Sequence, residues 1–312
     1  MGKYVILADI TCDLSQEMRE FCGMDYYING HIHISTNGEE KDLLTTLDWS
    51  QISREEYYAA LADKKAKITT APPNLEEYAD IFEKYVKEGY DILSMSLSAK
   101  ISGTFDFTCT AAKRVKEKYP EANIYCFNSM RMSGAFALLT MYAFLLKKQG
   151  RSYEEVIEWL EANKQRVHQM GPVDDLIAIA RRGRITMGKA VMGSFANVKP
   201  MGDCNSEGYV TVLTKAKGIR KALELTVSYV KETAVDMSDN YAVIYHTDRE
   251  QYALMLKEMI EKELDFKQVF VSCCFSGNAT NIGPGMIGVY YFGNTVTDLV
   301  AEKEIITKLN SK

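Results

Sequence analysis

The stretch Ser102–Thr104 is the part of the chain best suited to hold an anion, because two hydroxyls flank Gly103 there. It follows the apolar run Asp91–Leu97 and precedes a segment with helical character. A helix N-terminus presents unpaired backbone N–H groups, a glycine permits close approach, and hydroxyls donate to carboxylate or phosphate oxygens. A strand-to-helix turn capped by serine would use the same residues, so both interpretations stay open here.

Two more segments have the same uncharged, anion-friendly character. Thr69–Pro73 places hydroxyls ahead of a predicted helix that begins near Asn74, and Asn281–Gly285 precedes the last apolar run. Hydroxyls, an amide and backbone donors suit a carboxylate head group better than a cycle of proton transfers. Each segment could also be a plain turn or cap, an alternative that weakens when all three segments are considered together.

Signatures of several enzyme classes are missing from the sequence. It contains no complete Walker A loop, no His-Glu-x-x-His and no Gly-x-Ser-x-Gly motif, so we expect no nucleotide or metal cofactor. His31 and His33 would share one face of a strand and could bind a metal, but an exposed edge strand with two solvated imidazoles is the simpler interpretation. We interpret His168 and His246 as structural histidines with hydrogen-bond partners.

Bulk composition describes an ordinary globular protein. The chain has 312 residues, 46% of them hydrophobic and 25% charged, which is enough for a large core and two domains. The net charge of -5 disfavours nucleic acid and anionic membranes as partners, beyond transient membrane contact for lipid exchange. The N-terminal apolar run is too short for a signal peptide, and no stretch approaches a membrane span. Seven cysteines without Cys-x-x-Cys indicate reduced thiols and a cytoplasmic location.

The first half alternates apolar runs with helical stretches, as expected for a parallel sheet covered by helices. Capping residues indicate where helices begin, and glycines where they end. The segment 134–146 is apolar nearly all round, so we expect a buried helix. The predicted strands are Tyr4–Ala8, Asp91–Leu97 and Asn123–Phe127, the caps are Ser53 with Glu56, Asn74 with Glu77 and Ser152 with Glu155, and the terminating glycines are Gly89 and Gly150.

The amino-acid composition changes near residue 165, where a basic segment interrupted by glycines begins. We therefore predict an N-terminal α/β domain over residues 1–165, a C-terminal α+β domain over 166–295 and a helical tail over 296–312. The second half has strand-like runs at Tyr209–Leu213, Tyr241–Tyr245, Gln268–Phe275 and Met286–Tyr291, with helical stretches at Ile219–Glu232 and Arg249–Glu263.

Several short segments together resemble the DegV family, whose studied members bind fatty acids as the acyl-carrying subunit of a bacterial fatty acid kinase. The resemblance spans roughly residues 3–293, and the order and spacing of the segments carry it. The segments are Asp9–Leu14, Thr70–Pro73, Ser98–Phe105, Asn128–Ser129, Val173–Leu176, Arg182–Ile185 and Gly283–Gly285.

The resemblance implies a two-domain α/β fold with an apolar ligand tunnel between the domains. It assigns the fatty acid carboxylate to Thr70 and Ser102, with Gly103, Thr104, Asn281, Ile282 and Gly283 assisting. It also implies that a separate kinase subunit supplies ATP, so this chain would present a substrate and have no catalytic residues of its own.

The chain departs from the family pattern at the head group. Asn281 stands where the family usually has a histidine, and an amide donates a hydrogen bond but carries no positive charge. Ile10 and Ala71 replace common serines, and Asn128 replaces an aspartate. These departures bear on coupling to a kinase more than on the fold.

Apolar side chains would supply most of the affinity for an acyl chain, since each methylene removed from water contributes about 0.8 kcal/mol. Flexible chains are well accommodated by methionine and phenylalanine. The candidate tunnel residues are Phe105, Phe107, Phe136, Leu139, Met187, Met192 and Phe195, although a plain core role is favoured for any one of them taken alone.

A basic strip in this acidic chain could dock an acidic partner or lie near the phosphoryl acceptor site. Its part from Lys215 to Lys221 could equally be a solvated helix start. Its members are Arg181, Arg182, Arg184, Lys215, Lys217, Arg220 and Lys221, of which Arg182, Arg184, Lys217 and Arg220 are the candidate partner-binding residues.

Two alternatives to the fatty acid carrier stay open. An enzyme could use the same anion site for an acyl or phosphorylated substrate, and would turn over without a partner. A ligand-gated interaction protein could have lost coupling to a kinase.

Overall fold

The computed structural model describes residues 3–176, 179, 182, 185–186 and 197–311. The chain divides into two compact units: unit 1 is Met1–Lys164 with Phe275–Thr280, and unit 2 is Gln165–Cys274 with Asn281–Lys312. The short segment Phe275–Thr280 thus belongs with the N-terminal unit, whereas our sequence-based scheme kept 166–295 together and set 296–312 apart as a tail. The predicted boundaries of the domains stay a prediction.

Unit 1 contains two sheets and their covering helices. Its strands are β1 (Tyr4–Ala8), β2 (His31–Thr36), β3 (Glu39–Leu44), β4 (Lys67–Ala71), β5 (Asp91–Ser96) and β6 (Ile124–Asn128). Its helices are α1 (Gln16–Cys22), α2 (Arg54–Ala62), α3 (Leu75–Lys87), α4 (Thr104–Lys118), α5 (Ser133–Lys148) and α6 (Tyr153–Asn163).

The parallel sheet β1-β5-β6 confirms the predicted α/β arrangement, with strand ends within one residue of those expected. One face of the sheet packs against α3 and α4 through a cluster that includes Leu7, Ile92, Phe82, Ala111 and Val115. Helix α5 is buried along most of its length, as its all-round apolar sequence predicted.

The second sheet, β3-β2-β4, corrects our interpretation of the paired histidines. Strand β2 is the central strand, with β3 and β4 antiparallel on either side, so His31 and His33 do not lie on an edge. Strand β3 escaped prediction because its sequence is charged and has low strand propensity. The hairpin signal was Asn37-Gly38, whose positive φ values of 52° and 82° suit a type I′ turn.

The helix caps follow the sequence closely. Full capping boxes form at Asn74 with Glu77 and at Ser152 with Glu155. At Ser53 the hydroxyl accepts from the Glu56 backbone N–H at 3.2 Å, while the Glu56 carboxylate pairs with a lysine of β3. The terminating glycines Gly89 and Gly150 adopt positive φ, as C-terminal helix caps require.

Unit 2 contains a mixed four-stranded sheet, β12-β11-β13-β7, and a three-stranded sheet, β8-β10-β9. Its strands are β7 (Val167–Met170), β8 (Ile185–Thr186), β9 (Val198–Cys204), β10 (Val210–Lys217), β11 (Tyr241–His246), β12 (Gln268–Cys273) and β13 (Ile287–Phe292). The helices of the second half are α7 (Ile219–Thr233), α8 (Glu250–Glu263), α9 (Ser276–Ile282), which begins in unit 1 and ends in unit 2, and α10 (Val300–Asn310).

Helices α7 and α8 cover the four-stranded sheet through a cluster that includes Leu223, Val230, Ile244, Leu256 and Val289. Because these residues recur at helical spacing on α7 and α8, one face of each helix is apolar and is buried. Within the described ranges, none of the helices has an apolar stretch that could cross a bilayer.

A buried polar cluster lies within unit 2. His168 Nδ1 lies 2.6 Å from Asp203 Oδ2, and His168 Nε2 lies 2.7 Å from the Asn294 carbonyl oxygen. Nε2 donates to the carbonyl oxygen, while Nδ1 and the Asp203 carboxyl share a proton, so both ring nitrogens are bonded. Tyr229 also donates to Asp203 Oδ2 at 3.0 Å, and burial together with the Asp203 charge raises the Tyr229 pKa far above its ordinary value. The interpretation of His168 as a structural histidine is confirmed.

Candidate functional site

The anion turn, which we define as Ser102–Thr104, connects the loop after β5 to the first turn of α4. Gly103 is the N-cap residue of α4, and no side chain caps the helix there. The backbone N–H of Thr104 instead donates to Ser102 Oγ at 3.3 Å. The first turn of α4 thus faces a serine hydroxyl at the positive end of a helix of 15 residues, the arrangement expected for carboxylate recognition.

Thr104 determines whether the Ser102 hydroxyl can donate its proton to another group. The two hydroxyl oxygens are 2.8 Å apart, and Thr104 is 1% exposed while Ser102 is half-buried. When the Thr104 hydroxyl donates, Ser102 Oγ accepts two hydrogen bonds, one from the Thr104 backbone and one from its side chain. The single hydroxyl proton of Ser102 is then available to donate to another acceptor.

Gly103 is not required by the local fold. Its φ of -76° is accessible to any residue, and an added Cβ would meet no atom within 4 Å. The missing side chain therefore leaves open space beside the helix N-terminus, which agrees with the close approach that the sequence analysis assigned to this glycine.

The loop before the anion turn is held by backbone and amide hydrogen bonds. Asn128 Oδ1 accepts from the N–H of Ala99 at 3.2 Å and of Met130 at 3.1 Å. An aspartate would accept the same two bonds, so Asn128 preserves the acceptor that the family pattern places there. The Ser98 N–H donates to the Arg131 carbonyl at 2.8 Å, which fixes the start of the loop.

Thr70 lies in β4 opposite Ile32 and is half-buried. It lines a cavity of about 370 Å³ beside the sheet β3-β2-β4, together with His31, His33 and Asp42. The two histidines pair with carboxylates of their own unit: His31 Nε2 is 3.0 Å from Glu77 and His33 Nδ1 is 2.8 Å from Asp42. Thr70 and Ser102 are both placed in unit 1, on different elements.

The segment Asp9–Leu14 acts as a structural clamp. Asp9 accepts from Thr11, and burial raises the Asp9 pKa although hydrogen bonds from Thr11 and Tyr78 oppose this. Asp13, at a positive φ of 55°, accepts from the Ser133 hydroxyl at 3.0 Å and the Asn278 amide at 2.7 Å. These buried carboxylates join distant parts of unit 1.

Ile10, which stands where the family commonly has serine, packs against Gly277. A Cβ at Gly277 would lie 2.1 Å from Ile10 Cδ1. The absent side chain at Gly277 therefore makes the room that the larger isoleucine occupies.

The second group of candidate residues belongs to unit 2. Asn281 and Ile282 end helix α9, and Gly283 follows at φ +82°. Ile282 packs against an apolar cluster formed by Leu176, Ile179 and their neighbours.

That cluster borders an apolar cavity of about 70 Å³ within unit 2. The sequence patterns did not predict this apolar lining, because the candidate tunnel residues were almost all methionine and phenylalanine. The signals that could have found it are the alternation Val210-x-Val212 of a half-buried strand and the helical spacing of Val173, Leu176 and Ile179. The apolar lining residues are Met170, Val173, Leu176, Ile179, Pro200, Met201, Val210, Val212, Met286, Ile287 and Tyr290.

The predicted tunnel residues fall into three groups. Phe136 and Leu139 are fully buried in α5 and pack in unit 1. Phe105 is half-buried and Phe107 is 40% exposed, both on the first turn of α4. Met187, Met192 and Phe195 lie outside the described residues.

The candidate partner-binding residues are exposed where the structure describes them. Arg182 and Lys217 lie at the surface, and Arg220 is 86% exposed in its side chain, 3.5 Å from Glu224. Arg184 lies outside the described residues.

The geometry favours neither a metal ion nor a dinucleotide at the described residues. Among the residues that the structure describes, no three His, Cys, Asp or Glu side chains are grouped to hold a metal ion. Gly283, Gly285 and Gly288 have the spacing Gly-x-Gly-x-x-Gly, but Gly288 lies in strand β13, whereas a dinucleotide fingerprint opens a helix.

The fold and the site define a class of protein: an α/β protein of two compact units with an uncharged anion turn at a helix N-terminus. The family model described as "uncharacterised protein, DegV family" matches residues 3–294. The chain belongs to the DegV family.

Relatives of known sequence or structure match over nearly their whole length. A DegV domain-containing protein of Clostridium perfringens is 28% identical over 95% of this chain and 99% of its own. A DegV family crystal structure from Ruminococcus gnavus, refined with vaccenic acid, is 23% identical, with a TM-score of 0.80 over 92% of this chain and 99% of its own. The fatty acid kinase B3 protein of Streptococcus pneumoniae, loaded with linoleic acid, is 17% identical, with a TM-score of 0.77 over 94% of this chain and 100% of its own. These matches confirm the predicted fold.

Proposed function

We propose that this protein binds a long-chain fatty acid and holds its carboxylate through Ser102 and Thr70. The observation that carries the proposal is the anion turn at the N-terminus of α4, where Ser102 Oγ can accept from both the hydroxyl and the backbone N–H of Thr104 and so keep its own proton for a ligand. Family members from Ruminococcus gnavus and Streptococcus pneumoniae that contain vaccenic and linoleic acid support the same ligand class.

An uncharged head-group site is sufficient for such a ligand because the acyl chain supplies most of the affinity. Burial of about fifteen carbons contributes roughly 10 kcal/mol before ordering costs. The apolar lining of the cavity in unit 2 suits acyl methylenes. Its volume of about 70 Å³ accounts for only part of a chain, since ligand cavities usually have about 300 Å³ or more.

Asn281, Ile282 and Gly283 are included in the proposed binding residues, and their contribution is to be tested separately from that of Ser102 and Thr70. Asn281 supplies an amide that can donate to a carboxylate without a charge. Ile282 contributes apolar surface through its contact with the cluster around Leu176.

The protein would present its fatty acid to a separate fatty acid kinase subunit and would not catalyse the phosphorylation itself. The relative that is a component of a fatty acid kinase supports this role, as does the lack of a complete Walker A loop in the sequence. Exposed basic residues, including Arg182, Lys217 and Arg220, could meet an acidic partner. A cytoplasmic location belongs to this proposal and agrees with seven free cysteines.

The central experiment measures ligand content and affinity. Organic extraction of the purified protein followed by mass spectrometry should release nearly one acyl chain per protein. Ser102→Ala should weaken fatty acid binding by roughly 10-fold to 100-fold, since a hydrogen bond to a charged group contributes about 1.5–3 kcal/mol.

The matched control is Thr110→Ala, which removes one hydroxyl from the exposed side of the same helix. A fatty alcohol of equal length separates head-group from chain binding, and Ser102→Ala should affect it little. An empty protein that long-chain fatty acids do not stabilise against heat would refute the proposal. Turnover of an acyl or phosphorylated substrate without a partner would favour the enzyme alternative.

A further inference from the structure

Asp174 joins two cations from distant parts of unit 2. Its Oδ1 accepts from Lys199 Nζ of β9, and its Oδ2 accepts from Arg249 Nη2 at 2.8 Å, just before α8. The three side chains are largely shielded, with exposed fractions of 28%, 19% and 35%. We call this group the Asp174 cluster.

The same carboxylate packs directly against the turn that follows α9. Gly285 has φ +97°, and a Cβ built on it would lie 2.3 Å from Asp174 Oδ2. On its other side the turn is tied to Thr247, which accepts from the Gly285 N–H and, through its hydroxyl, from the Met286 N–H, both at 2.8 Å. Gly285 is therefore held between Asp174 and Thr247.

A ligand site at the cluster itself is the competing interpretation. A cavity of about 490 Å³ borders Asp174, Lys199 and Arg249, and also Asp248 and Glu250. Three carboxylates then face two cations, so the surroundings do not favour an anion. The carboxylate of Asp174 is already bonded to both cations, which is the arrangement of a structural clasp.

The charge of Asp174 persists at the pH of a binding measurement. Burial would raise the pKa of this carboxyl, but hydrogen bonds and charges of Lys199 and Arg249 outweigh burial and lower the pKa below its ordinary value. The Asp174 carboxylate stays ionised above about pH 4.

We propose that Asp174 is a positioning residue that sets the turn Gly283–Gly285 and, through it, the amide of Asn281. This inference rests on the proposed function, in which Asn281 assists carboxylate recognition. The chain from Asn281 to Gly285 is short, and both glycines in it adopt positive φ, so a displaced Gly285 changes the direction in which α9 ends. Asp174 would thus affect the head group without touching it.

The test compares the preference for a fatty acid over a fatty alcohol of equal length. Asp174→Asn keeps the side-chain shape but removes the charge, and should lower the preference about tenfold. Asp248→Asn is the control, because this exposed carboxylate pairs with Arg249 only at 4.0 Å and is not among the nearest atoms to the Gly285 Cβ position. It should keep the wild-type preference.

Hydrogen exchange at the Gly285 and Met286 amides gives a readout independent of the ligand. Asp174→Asn should accelerate exchange at both positions relative to Asp248→Asn, because the side chain at position 174 is no longer held against the turn by ion pairs with Lys199 and Arg249. Lys199→Gln is a milder second variant, which leaves Arg249 in place and should cause a smaller change of the same kind.

The outcomes separate this inference from the proposed function. If the wild-type protein binds fatty acid in preference to alcohol and both Asp174→Asn and Lys199→Gln keep that preference, the positioning role is overturned and the proposed function stands. An equal loss of affinity for acid and alcohol would also overturn it, because that is the effect of a purely structural residue. If the wild-type protein does not bind fatty acid at all, the proposed function fails first.

Discussion

The anion turn Ser102–Thr104 and the turn Gly283–Gly285 are both glycine turns next to a helix end, yet they are held in different ways. In the first, hydrogen bonds within two residues orient Ser102, and Gly103 has ordinary backbone angles and open space beside it. In the second, both glycines need positive φ, and Gly285 is wedged against Asp174. A turn of the first kind tolerates substitution, whereas one of the second kind depends on distant residues.

The histidines of the two units also differ, because His168 is buried and His31 is partly exposed. Their substitution should give the largest difference in stability. His168→Ala should lower the free energy of unfolding by about 3–5 kcal/mol, because it leaves the carboxyl group of Asp203 buried without its imidazole partner. His31→Ala should cost less than about 1 kcal/mol, since its pair with Glu77 is exposed. Chemical denaturation of both variants checks this, and equal costs would contradict the contrast.

The glycines themselves give the next largest difference. Gly285→Ala should lower the free energy of unfolding by about 2–4 kcal/mol, through backbone strain at positive φ and the clash with Asp174. Gly103→Ala should change it by no more than about 0.5 kcal/mol, because its φ is ordinary and nothing is near. Thermal unfolding of the two variants measures the difference. A costly Gly103→Ala would mean that the two turns are alike.

Acid stability should respond to the Asp174 cluster. The pKa of Asp174 is lowered in the folded protein, so its contribution to stability is present above the ordinary carboxyl pKa of about 3.9 and is lost as pH falls through the folded value. Asp174→Asn should therefore be less stable than wild type at neutral pH, and the two should converge in acid. Unfolding followed over a pH series tests the sign, and a difference that grows in acid would reverse it.

The smallest effect is expected in the loop that supports the anion turn. Asn128→Asp restores the residue of the family pattern and keeps the acceptor for the Ala99 and Met130 N–H groups. Stability should change by no more than about 0.5 kcal/mol, and fatty acid affinity should stay the same. Asn128→Leu is the contrasting variant, which removes the acceptor and should weaken binding. Equal behaviour of the two variants would show that the acceptor is unimportant.

Much of unit 1 could be predicted because its signals are local. The parallel strands follow from short apolar runs, and the caps at Asn74 and Ser152 follow from side chains that bond backbone N–H groups three residues away. The hairpin of β2 and β3 was not predicted because the charged residues of β3 have low strand propensity. Asn37-Gly38 was nevertheless a usable turn signal. The central position of β2 followed from pairing with β4, which no local pattern specifies.

The candidate site was only partly visible for the same reason. The turn at Ser102–Thr104 could be predicted because Ser102 and Thr104 bond each other across a single glycine at a helix start. The apolar cavity of unit 2 could not, because residues from β7, β9, β10 and β13 form it together with Leu176 and Ile179. Side-chain flexibility favoured phenylalanine and methionine as lining residues, but the tertiary fold decides which side chains come into contact.

By itself, the sequence determined the helix starts, the parallel strands, the anion turn and the resemblance to a family, because each depends on residues close together in the chain or on their order. Only the tertiary structure decided that Asp174 supports Gly285, that Gly277 makes room for Ile10, and that His168 is held between Asp203 and Asn294. These contacts join residues far apart in sequence, and their energies depend on burial, which a linear pattern does not specify.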